Sequence, residues 1–253
     1  MRLMAIILTY NESAHIRECI ASLGFAQSVL VFDSFSTDDT LNLAHQAGAQ
    51  TAQRHFDDYA SQRNAALDLA KAQGAEWVLF IDADERVSPA LAQALLQVMD
   101  MPEYAAWRMP RHNYIFGKLT LGAGWYPDYQ VRLLRVGRAS YDPERKVHEV
   151  VVCDGALGTL DVPLVHHNYQ HLAQFHNKQR RYSAYDARIL FEQGIRPKPH
   201  NFILQPLRQF RWRYLTLKGY QDGWHGLRLS SLMAYYEWYK YRLLAALWRQ
   251  TSA

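Results

Sequence analysis

The first hundred residues alternate short apolar runs with segments of helical periodicity. The apolar runs predict strands over residues 3–9, 28–32, 50–54 and 77–81. The other segments predict helices over residues 13–23, 37–47, 59–73 and 88–99. Strands that alternate with helices in this way form βαβ units. The pattern therefore predicts an α/β fold whose sheet is mostly parallel and flanked by helices.

After residue 101 the elements become shorter and are separated by glycine, proline and aromatic residues. We predict strands over residues 105–109, 130–135 and 147–152 and a helix over residues 171–193. A break at residues 194–199 precedes a last segment with apolar side chains at helical spacing. These side chains are Leu229, Leu232, Met233, Tyr236, Leu243 and Leu247. We predict one catalytic domain over residues 1–195, with halves 1–100 and 101–195. A helical extension over residues 196–253 is predicted to associate with a membrane or with a second copy of the chain.

The charge is divided unevenly along the chain. Residues 1–195 carry 18 Lys and Arg against 22 Asp and Glu, whereas residues 196–253 carry 10 against 2. The same last segment holds 12 of the 33 aromatic residues. A basic, aromatic extension on an acidic body predicts contact with a membrane surface or with nucleic acid.

Cysteine content and the N-terminus favour a cytoplasmic protein. The two cysteines, Cys19 and Cys153, form no disulfide framework and no Cys-x-x-Cys metal pair, which favours a reducing compartment. The N-terminal apolar run is short and no small-residue cleavage site follows it, so we expect no signal peptide. No stretch reaches the roughly 18 apolar residues that a spanning helix needs.

Acidic and polar residues follow three of the predicted strands. Residues 9–12, 33–38 and 82–85 share one edge if the strands are parallel, because ligands of such sheets bind beyond the carboxyl ends. Asp82 and Asp84 are two carboxylates at positions i and i+2, a pair that can hold a divalent cation. The alternative is an acidic turn that caps the next helix.

The segment after the second strand has two interpretations. Asp33 can accept hydrogen bonds from a base or ribose, while Ser36, Thr37 and Asp38 resemble a helix cap. No Gly-x-Gly-x-x-Gly motif follows the first strand, and no phosphate-binding loop motif occurs. A bound nucleotide would therefore have to be held by carboxylates and a metal ion.

Taken in order, four motifs resemble those of the family 2 glycosyltransferases with a Rossmann-like GT-A fold. They are Thr9-Tyr-Asn-Glu12, the run from Asp33 to Thr40, Gln62-Arg-Asn64 and Asp82-Ala-Asp-Glu85. Residues 124–135, Val147-His-Glu149 and the basic aromatic extension resemble the bacterial subgroup that adds a β-glucosyl residue to the lipopolysaccharide inner core. Phe35 stands where glycine is common, and the Gln-x-x-Arg-Trp motif of polymerising synthases is absent.

The resemblance implies a UDP-sugar donor and a Mg²⁺ or Mn²⁺ ion. Asp82, Asp84 and His148 are the implied metal ligands. The implied donor-binding residues are Thr9, Asn11, Glu12, Asp33, Arg63, Asn64 and Asp82. Inversion at the anomeric carbon requires a base, for which Asp128 and Glu149 are alternatives. His166 and His167 are adjacent on a predicted strand and point to opposite faces, so we expect no metal site shared between them.

We therefore predict an inverting enzyme that moves a sugar, glucose by the resemblance, to the lipopolysaccharide inner core or another lipid-linked glycan. It would lie on the inner face of the bacterial inner membrane against anionic lipid, as a monomer or homo-oligomer. Arginine and lysine side chains, those of Arg111, Lys118, Arg132 and Arg135, are available for acceptor phosphates or carboxylates. The alternatives are a polyprenyl phosphate or peptide acceptor, or a nucleic-acid-binding protein. The acidic edge argues against nucleic acid, because its carboxylates repel phosphates.

Overall fold

The computed structural model describes residues 2–144 and 150–251, and the chain divides into two units. The first unit consists of Met1–Arg111 and Asp128–His166, and the second of His112–Pro127 and His167–Ala253. The predicted boundary at residue 195 falls within the second unit. The division into a catalytic domain and an extension stays a prediction.

The first part of the chain alternates strands and helices as predicted. The elements are β1 (Leu3–Thr9), α1 (Ile16–Ala21), β2 (Ser28–Asp33), α2 (Thr40–Gln46), β3 (Gln50–Gln53), α3 (Tyr59–Ala72), β4 (Trp77–Asp82), β5 (Glu85–Arg86) and α4 (Pro89–Val98). α1 and α2 each begin three residues later than predicted. Ser88 accepts a hydrogen bond from the backbone N–H of Leu91 at 3.2 Å, so the predicted cap of α4 is confirmed.

In the part of the chain that the structure describes after α4, the twelve-residue strand β6, several short strands and three α-helices follow. The elements are β6 (Tyr104–Ile115), β7 (Lys118–Thr120), β8 (Tyr129–Arg135), β9 (Ala139–Tyr141), β10 (Val151–Cys153), β11 (Ala156–Thr159), β12 (Leu164–Tyr169), α5 (Leu172–Glu192), α6 (Asn201–Arg211) and α7 (Gly223–Gln250). The predicted strand over residues 147–152 lies partly outside the described residues, and its described part is β10. α6 was not predicted as a separate helix.

The main sheet has the strand order β3-β2-β1-β4-β8-β6-β12-β5, with β11 beside β6. β3, β2, β1 and β4 are parallel to one another, and β8 joins β4 in the antiparallel direction. The parallel half has both faces covered: Leu3, Ala5 and Ile7 of β1 pack with α1 and α4, whereas Met4 and Ile6 pack with α3. This double burial explains why its strands read as continuous apolar runs.

The second unit is built around α5, α6 and α7, and the C-terminal end of β6 pairs with β7 there. A π-helical turn (Trp212–Thr216) follows α6, and a 3-10 turn (Gly219–Asp222) leads into α7. α7 contributes Leu229 and Tyr236 to a buried cluster with Phe175 of α5. A Cβ atom at Gly226 would lie 1.8 Å from the carbonyl oxygen of Gly219, so close approach of the two backbones requires glycine there. Among the described residues, no helix is long and apolar enough to cross a membrane.

Candidate functional site

Thr9 and Asp33 lie opposite each other at the carboxyl ends of β1 and β2. The Thr9 hydroxyl donates a 2.9 Å hydrogen bond to the Asp33 carboxylate. Asp33 is fully buried and also accepts hydrogen bonds from the backbone N–H of Ser36 at 2.8 Å and from Gln53 Nε2 at 3.1 Å. The carboxylate thus holds the loop after β2 in place. A contact of Asp33 with a nucleotide stays a prediction.

The loops after β1 and β2 hold each other through side-chain to backbone hydrogen bonds. Asn11 Oδ1 accepts from the Thr37 N–H at 2.8 Å, and the Glu12 N–H donates to the Thr40 hydroxyl at 2.8 Å. Asp38 accepts from the backbone N–H groups of Ser13 and Thr40 at 3.1 and 3.0 Å. Burial raises the pKa of Asp38, but the hydrogen bonds from Thr40 and Ser13 outweigh it and lower this pKa to about 2.

Phe35 occupies a left-handed backbone conformation, with φ of 61°. Such a conformation costs roughly 1 to 2 kcal/mol for a residue with a side chain, and glycine avoids this cost. The ring of Phe35 stacks on that of His55 with 4.1 Å between centroids, which offsets part of the cost. The departure from glycine at this position therefore leaves the turn geometry intact.

Arg132 of β8 joins two carboxylates of the acidic motif after β4. Its Nη2 lies 2.6 Å from Glu85 Oε1 and also donates to Asp82 Oδ2. The Glu85 side chain is fully buried, and that of Arg132 is 4% exposed. Glu85 Oε2 in turn accepts from the Asp82 backbone N–H at 2.9 Å. Glu85 is therefore a buried support for Asp82 rather than an exposed ligand.

Two more arginines lie close to Asp82 and Glu85. Arg63 Nη2 lies 3.5 Å from Asp82 Oδ1. A role of Arg63 in binding the donor stays a prediction. Arg111 Nη1 lies 3.5 Å from Glu85 Oε1, and its Nε donates to Asp128 Oδ2 at 2.8 Å. Arg111 thereby links Asp128, one of the two candidate bases, to the acidic motif.

The arginines set the protonation of the motif. Burial raises the pKa of Asp82, but the charges of Arg132 and Arg63 outweigh burial and hold this pKa below its ordinary range. Burial and the nearby Asp82 charge raise the pKa of Glu85 despite Arg132 and Arg111. Burial lowers the pKa of Arg132, but the two carboxylates more than reverse this effect, so Arg132 stays charged.

Asp84 lies beside a histidine from a distant part of the chain. His166 pairs with Glu85 in the β12–β5 register, and its Nε2 lies 3.3 Å from Asp84 Oδ2. The Asp84 side chain is 31% exposed and that of His166 is 7% exposed. The structure thus brings His166, which the sequence analysis did not select as a ligand, to the partly exposed carboxylate of the motif.

Asn64 is engaged by backbone rather than turned towards the acidic motif. Its Oδ1 accepts from the Tyr141 N–H and its Nδ2 donates to the Tyr141 carbonyl, both at 2.8 Å. His148 and Glu149 lie outside the described residues, so their predicted roles stay predictions. Within residues 2–144 and 150–251 no group of three or more His, Cys, Asp or Glu side chains converges as a metal site.

Two arginines considered for the acceptor have other partners. Arg132 is committed to Asp82 and Glu85, as described above, so its assignment to acceptor phosphates was wrong. Arg111 is paired with Asp128 and Glu85.

Comparison with known families identifies the chain. The model of the family "Glycosyl transferase family 2" matches residues 4–155, more than half of the sequence. The chain belongs to glycosyl transferase family 2. The predicted family is thus confirmed, and with it the predicted GT-A fold with its mostly parallel sheet and C-terminal helices. As a glycosyltransferase, it takes a sugar from a nucleotide-sugar donor and passes it to an acceptor.

One sequence relative and two solved structures resemble the chain. The chain is 30% identical to the lipopolysaccharide core biosynthesis glycosyltransferase LpsC of Rhizobium meliloti (strain 1021), over 92% of this chain and 90% of LpsC. A mycobacterial protein of known crystal structure superposes with a TM-score of 0.51 at 17% identity, over 78% of this chain and 76% of that one, and so supports the fold. Glucosyl-3-phosphoglycerate synthase from Mycobacterium tuberculosis, solved with Mn²⁺, UDP and glucosyl-3-phosphoglycerate, gives 0.47 at 18% identity, over 78% and 81%.

Proposed function

We propose that this enzyme transfers a hexose, glucose being the first candidate, from a UDP-sugar to the lipopolysaccharide inner core or another lipid-linked glycan, with inversion at the anomeric carbon. The observation that carries the proposal is the partly exposed Asp84 beside His166, next to Asp82 with its buried support. LpsC, which resembles this chain over nearly its whole length, carries lipopolysaccharide core biosynthesis in its name.

Asp84 and His166 fit a divalent cation. Their facing atoms, a carboxylate oxygen and an imidazole nitrogen 3.3 Å apart, are ligand types that Mn²⁺ accepts, and the carboxylate also suits Mg²⁺. One or two protein ligands are enough where substrate phosphates and water complete the coordination. A cation there would neutralise the charge that develops on the UDP leaving group. His148 remains the predicted further ligand.

The remaining residues of the motif orient the donor. Asp82 is kept ionised by Arg132 and Arg63 and is proposed to accept hydrogen bonds from the ribose hydroxyls. We assign Thr9, Asn11, Glu12, Asp33, Arg63 and Asn64 to the nucleotide region, as the family resemblance implies. For Asp33 and Asn64 this role requires that a nucleotide share or replace the partners described above.

The base takes the proton of the acceptor hydroxyl while the hydroxyl oxygen bonds to the anomeric carbon and UDP departs. Asp128 and Glu149 remain the candidates for this role. Asp128 is held by Arg111, accepts from Gln130 Nε2 at 2.9 Å and keeps 29% of its side chain exposed. The link through Arg111 to Glu85 favours Asp128, because it lies next to the motif that binds the donor.

The proposed acceptor implies where in the cell the enzyme acts. We propose that the enzyme acts on the inner face of the bacterial inner membrane, where the basic second unit contacts anionic lipid. A polyprenyl phosphate or a peptide side chain are the alternative acceptors.

The test is release of UDP or ADP from UDP-glucose, UDP-galactose, UDP-N-acetylglucosamine and ADP-heptose, with Mn²⁺, Mg²⁺ or EDTA. We expect hydrolysis of one UDP-sugar that requires the cation, and faster release when truncated lipopolysaccharide is added. Asp84→Asn should lose at least a hundredfold in rate, while Asp68→Asn, an exposed change on α3, should match the wild type. A preference for ADP-heptose, or acceleration only by polyprenyl phosphate or peptide, contradicts the proposal.

A further inference from the structure

The outward side of α6 and its π-helical turn is apolar. Five large side chains there are about half exposed or more: Ile203 65%, Leu204 53%, Leu207 59%, Trp212 47% and Leu215 54%. No residue of α6 is buried, although the helix packs along α7. Contiguous apolar surface of this kind on a folded protein marks an interaction site rather than ordinary surface.

The exposed side chains form two adjacent rows along the helix. One row consists of residues 203, 207, 211 and 215, and the other of residues 204, 208, 212 and 216, all of them exposed. Residues spaced by four lie on one side of a helix, and thirteen residues extend about 20 Å along it. These eight residues, 203, 204, 207, 208, 211, 212, 215 and 216, are the outward face of α6.

The charge of this segment is of one sign. Residues 196–221 contain no Asp or Glu and six Lys or Arg. Two of the arginines, Arg208 and Arg211, belong to the outward face itself. Their guanidinium groups can reach polar headgroups while their aliphatic stems cover apolar surface.

A second cationic feature lies at the N-terminal end of α6. An open cavity of about 440 Å³ is lined by Arg196, Arg242 and Arg249 together with Phe202 and Trp248. Arg196 Cζ lies 4.5 Å from the centre of the Trp248 ring. No acidic residue lines this cavity, so it suits a phosphate-bearing headgroup.

We propose that the outward face of α6 lies in the plane of an anionic phospholipid bilayer, with its apolar side chains below the headgroups and Arg208 and Arg211 among the phosphates. Arg208 and Arg211 lie among the apolar side chains of the face, and in interfacial helices the aliphatic stem of such an arginine lies along the apolar surface while its guanidinium reaches the phosphates. The inference rests on the proposed function, whose membrane contact it assigns to one face.

A second copy of this chain fits the face less well. A symmetric dimer would bring the same face of each molecule together, and with it four guanidinium groups from Arg208 and Arg211 without a carboxylate of the face to neutralise them. Anionic lipid provides the missing negative charge.

The assignment also distinguishes α6 from two aromatic residues of α7, Tyr236 and Trp248. Tyr236 is 4% exposed and its hydroxyl pairs with His176 Nδ1 at 2.5 Å, while the Trp248 ring packs 4.7 Å from that of Phe191. These rings stabilise the second unit and are not expected to enter lipid.

Flotation of the whole protein with vesicles tests the proposal. We expect binding to vesicles of phosphatidylcholine with phosphatidylglycerol, weakening with salt, and little binding to phosphatidylcholine alone. Leu204→Gln/Leu207→Gln should lower the partition coefficient by about tenfold or more. Val152→Gln/Leu157→Gln, an equal change at exposed positions 55% and 47% accessible in the first unit, should bind like the wild type.

The depth of Trp212 in the bilayer and the oligomeric state of the protein are measured independently. Lipids brominated near the headgroup should quench the tryptophan fluorescence of the wild type more than that of Trp212→Phe. Equal flotation of the α6 variant and the wild type, or equal quenching of Trp212→Phe, overturns the proposal. A dimer in sedimentation at low salt that the α6 variant abolishes also overturns it. Donor hydrolysis in solution should be unchanged in the α6 variant, whereas wild-type protein that floats but hydrolyses no UDP-sugar disproves only the proposed function.

Discussion

Replacement of Arg132 by methionine tests whether the acidic motif depends on a buried counter-ion. Methionine replaces the apolar stem of the side chain but removes the guanidinium that Asp82 and Glu85 share. Glu85 is fully buried and 2.6 Å from this guanidinium. In the variant it loses its nearest positive charge, and water cannot reach the carboxylate to solvate it.

The magnitude follows from burial and from the partners that remain. Loss of one member of a buried ion pair costs about 3 to 5 kcal/mol. Arg111 remains 3.5 Å from Glu85, and the Asp82 side chain is 37% exposed, so solvent and a second arginine reduce the loss. We therefore expect about 3 kcal/mol, which for a chain of this length lowers Tm by about 6 to 12 °C.

Thermal unfolding followed by circular dichroism measures this loss. The matched control is Arg108→Met, an exposed arginine whose Nε donates to the Thr159 hydroxyl at 2.9 Å, for which we expect less than about 1 kcal/mol. Adding Glu85→Gln to Arg132→Met should restore part of the stability, because the buried negative charge is removed with its partner. A loss no larger than that of the control, or a double variant less stable than Arg132→Met, refutes the reasoning.

Four further substitutions test other parts of the molecule. Asp128→Asn and Glu149→Gln separate the two candidate bases: the true base should lose roughly a hundredfold to ten-thousandfold in kcat with donor KM little changed, and two normal rates disprove both assignments. Because the pKa of Asp38 is lowered from 3.8 to about 2, its stabilising contribution is present above pH 4 and is lost as pH falls towards 2. Asp38→Asn should therefore be less stable than the wild type at pH 7, and acid titration of Tm should show the gap closing; a constant gap contradicts this account. Gly226→Ala should lower Tm by several degrees, because the new methyl group overlaps the Gly219 carbonyl, and unchanged unfolding contradicts that packing.

The residues at the carboxyl ends of the parallel strands were predictable from sequence, because the end of an apolar run is a local feature of the sequence. Thr9, Asp33 and Asp82 each end an apolar run, and parallel pairing brings such ends together without any knowledge of packing. The arginines that neutralise the edge were not predictable in the same way. Arg132 reaches Asp82 across fifty positions of sequence through β8, whose place beside β4 the periodicity does not reveal. An arginine within the apolar run of residues 131–134 was the available signal.

His166 and α6 were missed for different reasons. His166 meets Asp84 because β12 pairs with β5. β5 has only two residues, so the sequence pattern does not predict this strand or its pairing. α6 has clear amphipathic periodicity, but periodicity does not say which face is covered by the rest of the protein. In α6 the covered side is the less apolar one, which is the reverse of the usual assumption.

A face that is both apolar and cationic responds to ionic strength in two opposite ways. Salt screens the attraction of Arg208 and Arg211 for lipid phosphates, and it equally screens the repulsion between the same faces of two molecules in solution. Kosmotropic salts also strengthen the association of exposed apolar side chains such as Leu204 and Leu207. Concentrated sulfate should therefore favour precipitation of the free enzyme, whereas dilute buffer favours colloidal solubility.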